Sequence, residues 1–443
     1  MSLRLIVALV LLVVACIWTM RRPFIGVCVV IILFHLNPRV FGTGLEDIRF
    51  QFYATIVLVL SVIVNQYQLK RILTPMHLPM RMMIGFLAVV FLTSLWAAAD
   101  ADLALDSAID FAKIVLFVYL MTIVVQSEKE LKVLIWVMLA SVAYTAFMAR
   151  WGVELGWIKD HEIGIATGGT GTHMMMYFPL LLSMAIIGGK WERRAAFVIM
   201  PFVLDALTVL PEGFRSSFVN LVTAAGLYLI FAPGRMRMKG ILPIAFGGVL
   251  FFYVFAPPGY FEYMLTILNP ETDGSSASRA IINDASLQIL AENPMGVGYN
   301  NYSLVSAEYI PEENLTDQGT RDAHNAYLKV LCEFGFLGFF VWMMMFGAAW
   351  FYYQRVRRTL PSGEQPDTLQ LFAFALGIGL LGVAPAIYTH SYNDLDTLYW
   401  FTGLSAIIYN LKFQEEIRQI AEARKKAPEA TKIRTPELTP SPG

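Results

Sequence analysis

Long apolar runs, separated by short polar segments, repeat along almost the whole chain. A helix that crosses a hydrocarbon core of about 30 Å needs about 20 apolar residues, and most of the runs come close to that length. Because the runs fill the chain evenly, they predict one polytopic helical bundle rather than a series of soluble domains. The predicted spans are thirteen, namely 3–20, 23–36, 51–65, 81–98, 108–125, 131–149, 173–189, 195–211, 216–232, 240–256, 325–352, 369–389 and 397–411.

Composition points to the same class. Of the 443 residues, 57% are hydrophobic and 15% are charged, whereas a soluble domain carries about 25% charged residues. The sequence therefore predicts an all-α polytopic membrane protein of about 12–13 transmembrane helices in a lipid bilayer. The formal net charge of −1 gives no indication of nucleic acid as a partner. The three cysteines fall in predicted spans, so neither a disulfide framework nor a metal site is expected.

Lysine and arginine residues are concentrated in alternate loops, which the positive-inside rule assigns to the cytoplasm. The N-terminus and the long connection at residues 257–323 then lie on the outer side. The first apolar run has no small-residue cleavage site, so it is predicted to be a retained span rather than a signal peptide. The basic loops hold Arg21 and Arg22, then Lys70, Arg71 and Arg81, then Lys129 and Lys132, then Lys190, Arg193 and Arg194, then Arg235, Arg237 and Lys239, and finally Arg355, Arg357 and Arg358.

This pattern divides the chain into four parts. Residues 1–256 are predicted to form an N-terminal bundle of about ten helices, residues 257–323 an outer loop, and residues 324–411 the C-terminal transmembrane helices. Residues 412–443 are charged and then rich in proline and threonine, which predicts a disordered cytoplasmic tail. In the outer loop, apolar residues at helical spacing over Ser278–Glu292 predict a short amphipathic helix that lies against the outer surface of the bundle.

Three arginines and a histidine fall on the outer side, which is otherwise poor in cations: Arg215, Arg279, Arg321 and His324. A guanidinium group is always charged, and its planar fork of donors fits phosphate oxygens. Histidine exchanges a proton near neutral pH. The group therefore indicates a site for a lipid-linked phosphate substrate and a reaction on that substrate. Asp322 is predicted to be the N-cap of the helix that follows His324.

Each of these residues also has a plainer interpretation. Arg215 alone is consistent with a side chain that snorkels to the membrane interface. Arg279 alone is consistent with a solvated residue that opens the amphipathic helix, and His324 with a polar residue at a helix start. Their grouping on one side of the membrane favours the functional interpretation.

Other polar groups need an assignment too. The turn at residues 390–394, which begins with His390, either lines the site or faces water. Asp110 and Lys113 are spaced as a helical charge pair, with a proton or ion path as the alternative. The sequence contains no Walker loop, dinucleotide fingerprint, metal-ligand spacing or outer Asp-x-Asp pair. A transferred group is therefore predicted to arrive on a lipid carrier, without a cofactor and without a metal.

Two short motifs resemble those of the O-antigen ligase and polymerase superfamily. The first is His324-Asn325-x-x-Leu328 with Glu333-x-Gly335-x-x-Gly338, and the second is Glu292-Asn293-Pro294-x-Gly296-x-Gly298-x-Asn300. The opening Arg21-Arg22-Pro23-Phe24-x-Gly26, with Asn37-Pro38, is similar to one subgroup, the O-glycosylation ligases found alongside exosortase systems. The similarity in architecture covers most of the chain.

The resemblance implies a metal-independent, inverting glycosyltransferase of the C type in the bacterial inner membrane, with its active site facing the periplasm. Such an enzyme moves a glycan from undecaprenyl pyrophosphate to a glycan or protein acceptor. The resemblance also implies that His324 is the essential histidine and that Arg215 and Arg279 hold the pyrophosphate. From its position three residues before His324, Arg321 is expected to join them. The family often has Ser-Arg-Gly where this chain has Phe214-Arg215-Ser216.

We expect Asn325, Tyr327, Glu333 and His390 to support this site. A polysaccharide polymerase of the same superfamily is one alternative, because it would use the same site with a lipid-linked acceptor. A lipid-linked glycan transporter is the other. Transporters place ionisable residues near the membrane midplane, and only the charge pair in the fifth span and Asp205 favour that arrangement here.

Overall fold

A computed structural model of the chain describes residues 3–38, 48–66, 76–152, 168–207, 214–256, 258–265, 274–361 and 363–414, together with Leu45, Leu69 and Ile417. Every regular element within these ranges is helical, which confirms the predicted all-α class. The residues just before the helix that carries Arg215, and most of the predicted tail at 412–443, lie outside the described residues.

The described residues form eighteen α-helices. The N-terminal part contains α1 (Leu3–Arg21), α2 (Pro23–Leu36), α3 (Phe50–Val64), α4 (Leu78–Ser94), α5 (Ala101–Val124), α6 (Glu128–Trp151), α7 (Gly168–Met176), α8 (Phe178–Ile187), α9 (Lys190–Ala206), α10 (Phe214–Phe231) and α11 (Gly234–Leu250), which a π-helical turn extends to Phe255. The outer segment and the C-terminal part contain α12 (Tyr260–Leu265), α13 (Gly274–Glu292), α14 (Tyr302–Val305), α15 (Ala326–Arg357), α16 (Thr368–Gly382), α17 (Ala384–Tyr388) and α18 (Asp396–Lys412).

Each of the thirteen predicted spans coincides with one of these helices or with a consecutive pair. Within the described residues, six helical segments are long and apolar enough to cross a membrane, and five shorter apolar helices accompany them. The number of crossings beyond these six stays a prediction. The six segments are Ala101–Val124, Glu128–Trp151, Thr170–Ile187, Gly234–Phe255, Ala326–Arg357 and Thr368–Tyr388.

Polar side chains set several helix ends in the bundle. Asp100 accepts a hydrogen bond from the backbone N–H of Leu103 at 2.9 Å, so α5 begins seven residues before the predicted span. Ser127 and Glu130 form a capping box at the start of α6. Such caps satisfy backbone N–H groups that have no partner in the first turn of a helix. Helix ends therefore extend past the apolar runs that hydropathy detects.

The long helix α15 lies at the centre of the C-terminal part, where it packs against α4, α16 and α18. Its side chains Trp342 and Tyr353 are fully buried, as is Trp400 of α18. The Tyr353 hydroxyl donates to the carbonyl of Phe401 at 2.6 Å. A polar tip on a buried ring needs such a partner, and the bond ties α15 to α18.

The outer segment between α11 and α15 has small apolar cores of its own. A helix, α13, is present where the amphipathic helix was predicted, and it begins at Gly274 rather than at Ser278. Its Ser286 hydroxyl is 2.7 Å from the Tyr302 hydroxyl, and its Ile289 packs in a cluster with Cys332 of α15. The segment is therefore seated on the start of α15.

The helix α15 is broken at Gly335, where φ is 66° and ψ is −173°. The break frees two backbone carbonyls from the helical ladder. The carbonyl of Cys332 accepts from the backbone N–H of Val297 at 2.9 Å, and the carbonyl of Glu333 accepts from that of Gly298 at 3.0 Å. The span predicted at 325–352 is thus two helices with different directions, because Gly335 interrupts an otherwise continuous apolar run.

Three glycines make this arrangement possible, and we call Gly296, Gly298 and Gly335 the glycine junction. All three have a positive φ, which side chains disfavour. A Cβ on Gly335 would lie 2.5 Å from the carbonyl oxygen of Pro294, and one on Gly296 would lie 2.4 Å from that of Glu333. The two sequence motifs are therefore the two halves of one contact between the outer segment and α15.

Substitution of Gly335 by alanine is expected to destabilise the protein. The left-handed backbone conformation alone costs about 1–3 kcal/mol for a residue with a side chain, and the close contact with Pro294 adds to that cost. Thermal unfolding in detergent should show a lowered midpoint. The matched control is Gly226→Ala in α10, where a Cβ meets no atom within 4 Å. Equal stability of Gly335→Ala and wild type would contradict the role of the glycine junction.

Candidate functional site

The candidate site forms where three parts of the chain meet at one end of the bundle. These are residues 321–325 ahead of α15, the first turns of α13, and the turn between α17 and α18. His324 is half-buried and adopts a left-handed conformation with φ of 47°. The Asn325 side chain caps α15, accepting from the backbone N–H groups of Tyr327 at 3.0 Å and Leu328 at 3.3 Å. The prediction of Asp322 as the N-cap is wrong.

Asp322 is instead part of an ion pair. Its carboxylate lies 3.0 Å from the ammonium of Lys329, seven residues later in the first part of α15. Burial acts to raise the pKa of Asp322, but the Lys329 charge and hydrogen bonds outweigh burial and hold that pKa below its ordinary value. Lys329 draws Asp322 away from the helix end, which leaves the cap to Asn325.

His324 lies within electrostatic range of several charged groups. Burial lowers the pKa of His324, and the positive charges of Arg321, Arg279 and Lys329 lower it further, against the opposing effect of Asp322. A group with such a pKa is neutral at pH 7. The imidazole is therefore able to accept a proton while cationic side chains surround it.

A hydrogen bond brings the two loop arginines to the same place. Nη2 of Arg321 donates to the hydroxyl of Ser278 at 3.0 Å, and Ser278 directly precedes Arg279 on α13. Both arginine residues are half-buried. Arg279 lies in the second turn of α13 rather than at its start, because residues 274–277 are already helical. The structure thus places two of the three predicted arginines beside His324.

The outer turn that begins at His390 also borders the site. The rings of His324 and His390 have centroids 6.4 Å apart in an edge-to-face arrangement. The His390 carbonyl accepts from the backbone N–H of Ala326 at 3.1 Å, which ties this turn to the start of α15. The Tyr392 ring stacks on His390 at 4.9 Å. The turn therefore lies next to His324, and a role of His390 in the site stays a prediction.

Arg215 belongs to a different helix, and its neighbour in the sequence contacts the turn that borders this cluster. It is the second residue of α10 and is half-buried. The next residue, Ser216, is fully buried and hydrogen-bonds the hydroxyl of Tyr392. Burial raises the pKa of Tyr392 to about 12, so its hydroxyl keeps its proton at pH 7. Ser216, Tyr392 and His390 thus connect the start of α10 with His324, and Arg215 lies on the α10 side of the cluster.

Two of the residues predicted to support the site, Tyr327 and Glu333, lie in the first part of α15. The Tyr327 hydroxyl donates to the carbonyl of Ala384 at 3.0 Å and so holds α15 to α17. Glu333 is fully buried next to the glycine junction, one helical turn from Lys329. The backbone N–H of Tyr302 faces its carboxylate outside hydrogen-bond geometry.

Two further charged residues interact with the site: Lys329, which the sequence analysis did not single out, and Asp394, the last residue of the turn at residues 390–394. Burial raises the pKa of Asp394, while the charge of Lys329 acts to lower it. The signal for Lys329 was present in the sequence. Lys329 and Glu333 are separated by four residues, a spacing that places their side chains on one face of a helix.

Asp110, Lys113 and Asp205, the charged residues whose positions favoured a transporter, form ion pairs in the structure. Asp110 lies 2.6 Å from Lys113 on α5, which confirms the predicted charge pair. Asp205 of α9 lies 3.3 Å from Arg150 of α6. Both pairs belong to helices other than those that carry the candidate site.

Part of the chain is similar to a known protein family. Residues 200–343 match the family model described as O-antigen ligase, which is about a third of the chain. The matched segment contains Arg215, Arg279, Arg321 and His324, and His390 lies beyond it. No curated protein matches the chain. The match supports the predicted superfamily, and the exosortase-associated subgroup stays a prediction.

Charge changes around His324 are expected to move its pKa in opposite directions. Arg321→Gln should raise the pKa of His324, because it removes a positive charge that disfavours the imidazolium. Asp322→Asn should lower it, because it removes a carboxylate that favours the imidazolium. A ¹³C NMR titration of histidine-labelled protein in detergent measures both shifts, and His324→Gln identifies the signal. Shifts of the same sign in both variants would contradict this arrangement of charges.

Proposed function

We propose that the chain transfers a glycan from a polyprenyl pyrophosphate to an acceptor hydroxyl at the outer face of the membrane. One observation carries the proposal. A half-buried, neutral histidine lies in the electrostatic field of Arg279 and Arg321, and these residues fall in the segment that is similar to O-antigen ligases. Such a site combines a proton acceptor with fixed positive charge.

The positive charges would act on the leaving group. In a glycosyl pyrophosphate, the bond between the anomeric carbon and the phosphate oxygen breaks, and negative charge develops on the departing pyrophosphate. Guanidinium groups bind phosphate oxygens with charge-assisted hydrogen bonds. Arg321 is bonded to Ser278, which directly precedes Arg279, and both arginines act electrostatically on His324 before any donor binds. They would therefore need little rearrangement to stabilise that charge. Arg215 is proposed to contribute from the α10 side.

His324 would act on the acceptor. As the acceptor oxygen forms its bond to the anomeric carbon, the hydroxyl proton passes to the neutral imidazole. General-base catalysis of this kind contributes about 10²–10⁴ in rate. A single displacement of this type inverts the configuration at the anomeric carbon. Asp322 and His390 are proposed to orient the imidazole from two sides, and the products are the glycosylated acceptor and the polyprenyl pyrophosphate.

The acceptor decides between two activities at this site. A ligase would use a glycan or protein acceptor, whereas a polymerase would use a second lipid-linked glycan. Both require the same proton transfer and the same charge stabilisation. The length of the product formed on a defined acceptor separates them, because a ligase adds one unit and a polymerase adds many.

Single substitutions in the cluster are expected to abolish transfer without removing the protein from the membrane. His324→Ala should lower the rate by about 10²–10⁴, and Arg279→Ala by about 10²–10³. A reconstituted assay with a polyprenyl pyrophosphate-linked glycan measures both. The control is Arg358→Ala, an exposed arginine after the far end of α15. Full activity of both His324→Ala and Arg279→Ala would rule out the mechanism.

The proposed orientation predicts which loops react from outside the cell. A cysteine at exposed Gln318 should react with a membrane-impermeant maleimide in intact cells. A cysteine at exposed Glu364 should react only after the membrane is opened. Wild type serves as the blank, because Cys28 and Cys332 are buried and Cys16 is half-buried. The reverse pattern of labelling would place His324 on the cytoplasmic side and exclude a periplasmic reaction.

A further inference from the structure

Two carboxyl groups lie close to one lysine at the start of α15. The ammonium of Lys329 is 3.0 Å from the carboxylate of Asp322, and only 13% of the lysine side chain is exposed. Glu333 follows Lys329 by four residues and is fully buried. Neither oxygen of its carboxyl group has a hydrogen-bond partner within the described residues. Lys329 is therefore bonded to one of the two carboxyl groups and not to the other.

The carboxyl group of Glu333 is within reach of Lys329. Side chains four residues apart on a helix are neighbours, with about 5–6 Å between their Cβ atoms, and a lysine ammonium moves on a flexible four-carbon stem. The two side chains already interact electrostatically. A buried carboxyl group without a hydrogen-bond partner is unfavourable. A rotation of the Lys329 stem would therefore satisfy Glu333 and release Asp322.

Protonation of His324 changes which carboxyl group Lys329 favours. While the imidazole is neutral, the carboxylate of Asp322 is free to hold the ammonium. An imidazolium places a second cation beside that carboxylate and repels the ammonium. The groups that act on Lys329 are Asp322, Glu333 and Asp394. Those that face His324 are Arg321 and Asp322 on its own segment, Arg279 of α13, Lys329 of α15 and His390 of the turn between α17 and α18.

We propose that Lys329 exchanges partners during the reaction, bonding Asp322 while His324 is neutral and Glu333 while His324 carries the proton. The inference rests on the proposed function, in which His324 is the base. Lys329 and Glu333 are positioning residues, because they act on the reaction through Asp322 and His324. The only covalent change at these four side chains is the arrival of the acceptor proton on the imidazole. The exchange frees the carboxylate of Asp322 to stabilise the imidazolium.

The exchange predicts that Glu333 affects His324 only through Lys329. A ¹³C NMR titration of histidine-labelled protein in detergent, without a donor, measures the pKa of His324. Lys329→Met should raise that pKa, because it removes a cation and leaves Asp322 to act on the imidazole alone. Glu333→Met should lower it, because Lys329 then stays on Asp322.

The decisive comparison is Glu333→Met combined with Lys329→Met, where the first substitution should change the pKa of His324 no further. The control is Lys113→Met, which removes a paired lysine from α5 and should leave that pKa unchanged. Equal lowering by Glu333→Met with and without Lys329, or no lowering in either case, would overturn the proposal. Thermal unfolding shows that each variant is folded.

A second titration keeps Lys329 in place and so does not depend on the folding of Lys329→Met. In protein with ¹³Cε-labelled lysine, the signal of Lys329 is identified by its absence from Lys329→Arg. This signal should change at the same pH as the ring signal of His324, because the ammonium then leaves Asp322. The change should be absent from both His324→Gln and Glu333→Met. A Lys329 signal that does not follow His324, or that changes equally in these two variants, would refute the exchange.

Glycan transfer should depend on Glu333 through kcat. In the reconstituted assay at pH 7, Glu333→Met should lower kcat about tenfold, the factor for one hydrogen bond to a charged group. KM for the donor should stay unchanged, because the arginines are intact. Glu333→Gln keeps an oxygen that accepts from the ammonium, so it should retain most of the activity. Equal losses of kcat in Glu333→Met and Glu333→Gln would contradict the exchange.

The titrations and the transfer assay separate failure of the exchange from failure of the proposed function, because the titrations need no donor. If the Lys329 signal follows His324 and depends on Glu333 in a protein that transfers no glycan, the proposed function is refuted and the exchange is retained. If the protein transfers glycan but its Lys329 signal does not follow His324, the exchange is refuted and the proposed function is retained.

Discussion

The glycine junction is the constraint on which the candidate site depends. In a membrane protein, a broken helix exposes backbone carbonyls that need partners from other parts of the protein. At Gly335 these partners are the backbone N–H groups of Val297 and Gly298. The bonds set the direction of the first part of α15 and fix the outer segment against it. Because His324 directly precedes Asn325, the cap of α15, this direction also determines where the imidazole lies.

The positions of two arginines near His324 affect both the protonation of its imidazole and the binding of an anion. Arg279 and Arg321 come from distant positions in the chain, and the bond from Arg321 to Ser278 brings them together. Burial is the main reason that the pKa of His324 is lowered, and the two arginine charges lower it further. The same charges would favour the binding of a pyrophosphate. When an anion binds, it offsets these positive charges and favours protonation of His324. The arrangement would thus strengthen the base once the donor is in place.

Much of the fold and part of the site could be predicted from the sequence, and the exceptions have physical causes. Hydropathy detects apolar runs, so it identified the long helical segments, and the helical spacing of apolar residues identified α13. It did not detect the break in α15, because Gly335 lies within a continuous apolar run. Asp322 and Asn325 are both good cap residues, and only the ion pair with Lys329 decides between them. Proximity of His390 to His324 depends on the packing of α17 against α15, which no local pattern encodes.

The outer segment that carries the glycine junction also hydrogen-bonds the turn between α4 and α5, and this contact, called the clasp below, has a consequence for biosynthesis. The side-chain oxygen of Asn301 accepts from the backbone N–H groups of Ala99 at 3.0 Å and Asp100 at 2.7 Å, and the Trp96 indole donates to the carbonyl of Gly296 at 3.1 Å. About 200 residues separate the two sides of this clasp, and such distant pairings form late because the intervening chain must first be closed into a loop. During translation, α4 and α5 leave the ribosome long before Asn301. Until Asn301 is synthesised, α4 and α5 therefore lack the hydrogen bonds that hold the turn between them. A nascent chain released before Asn301 is made would never form these bonds.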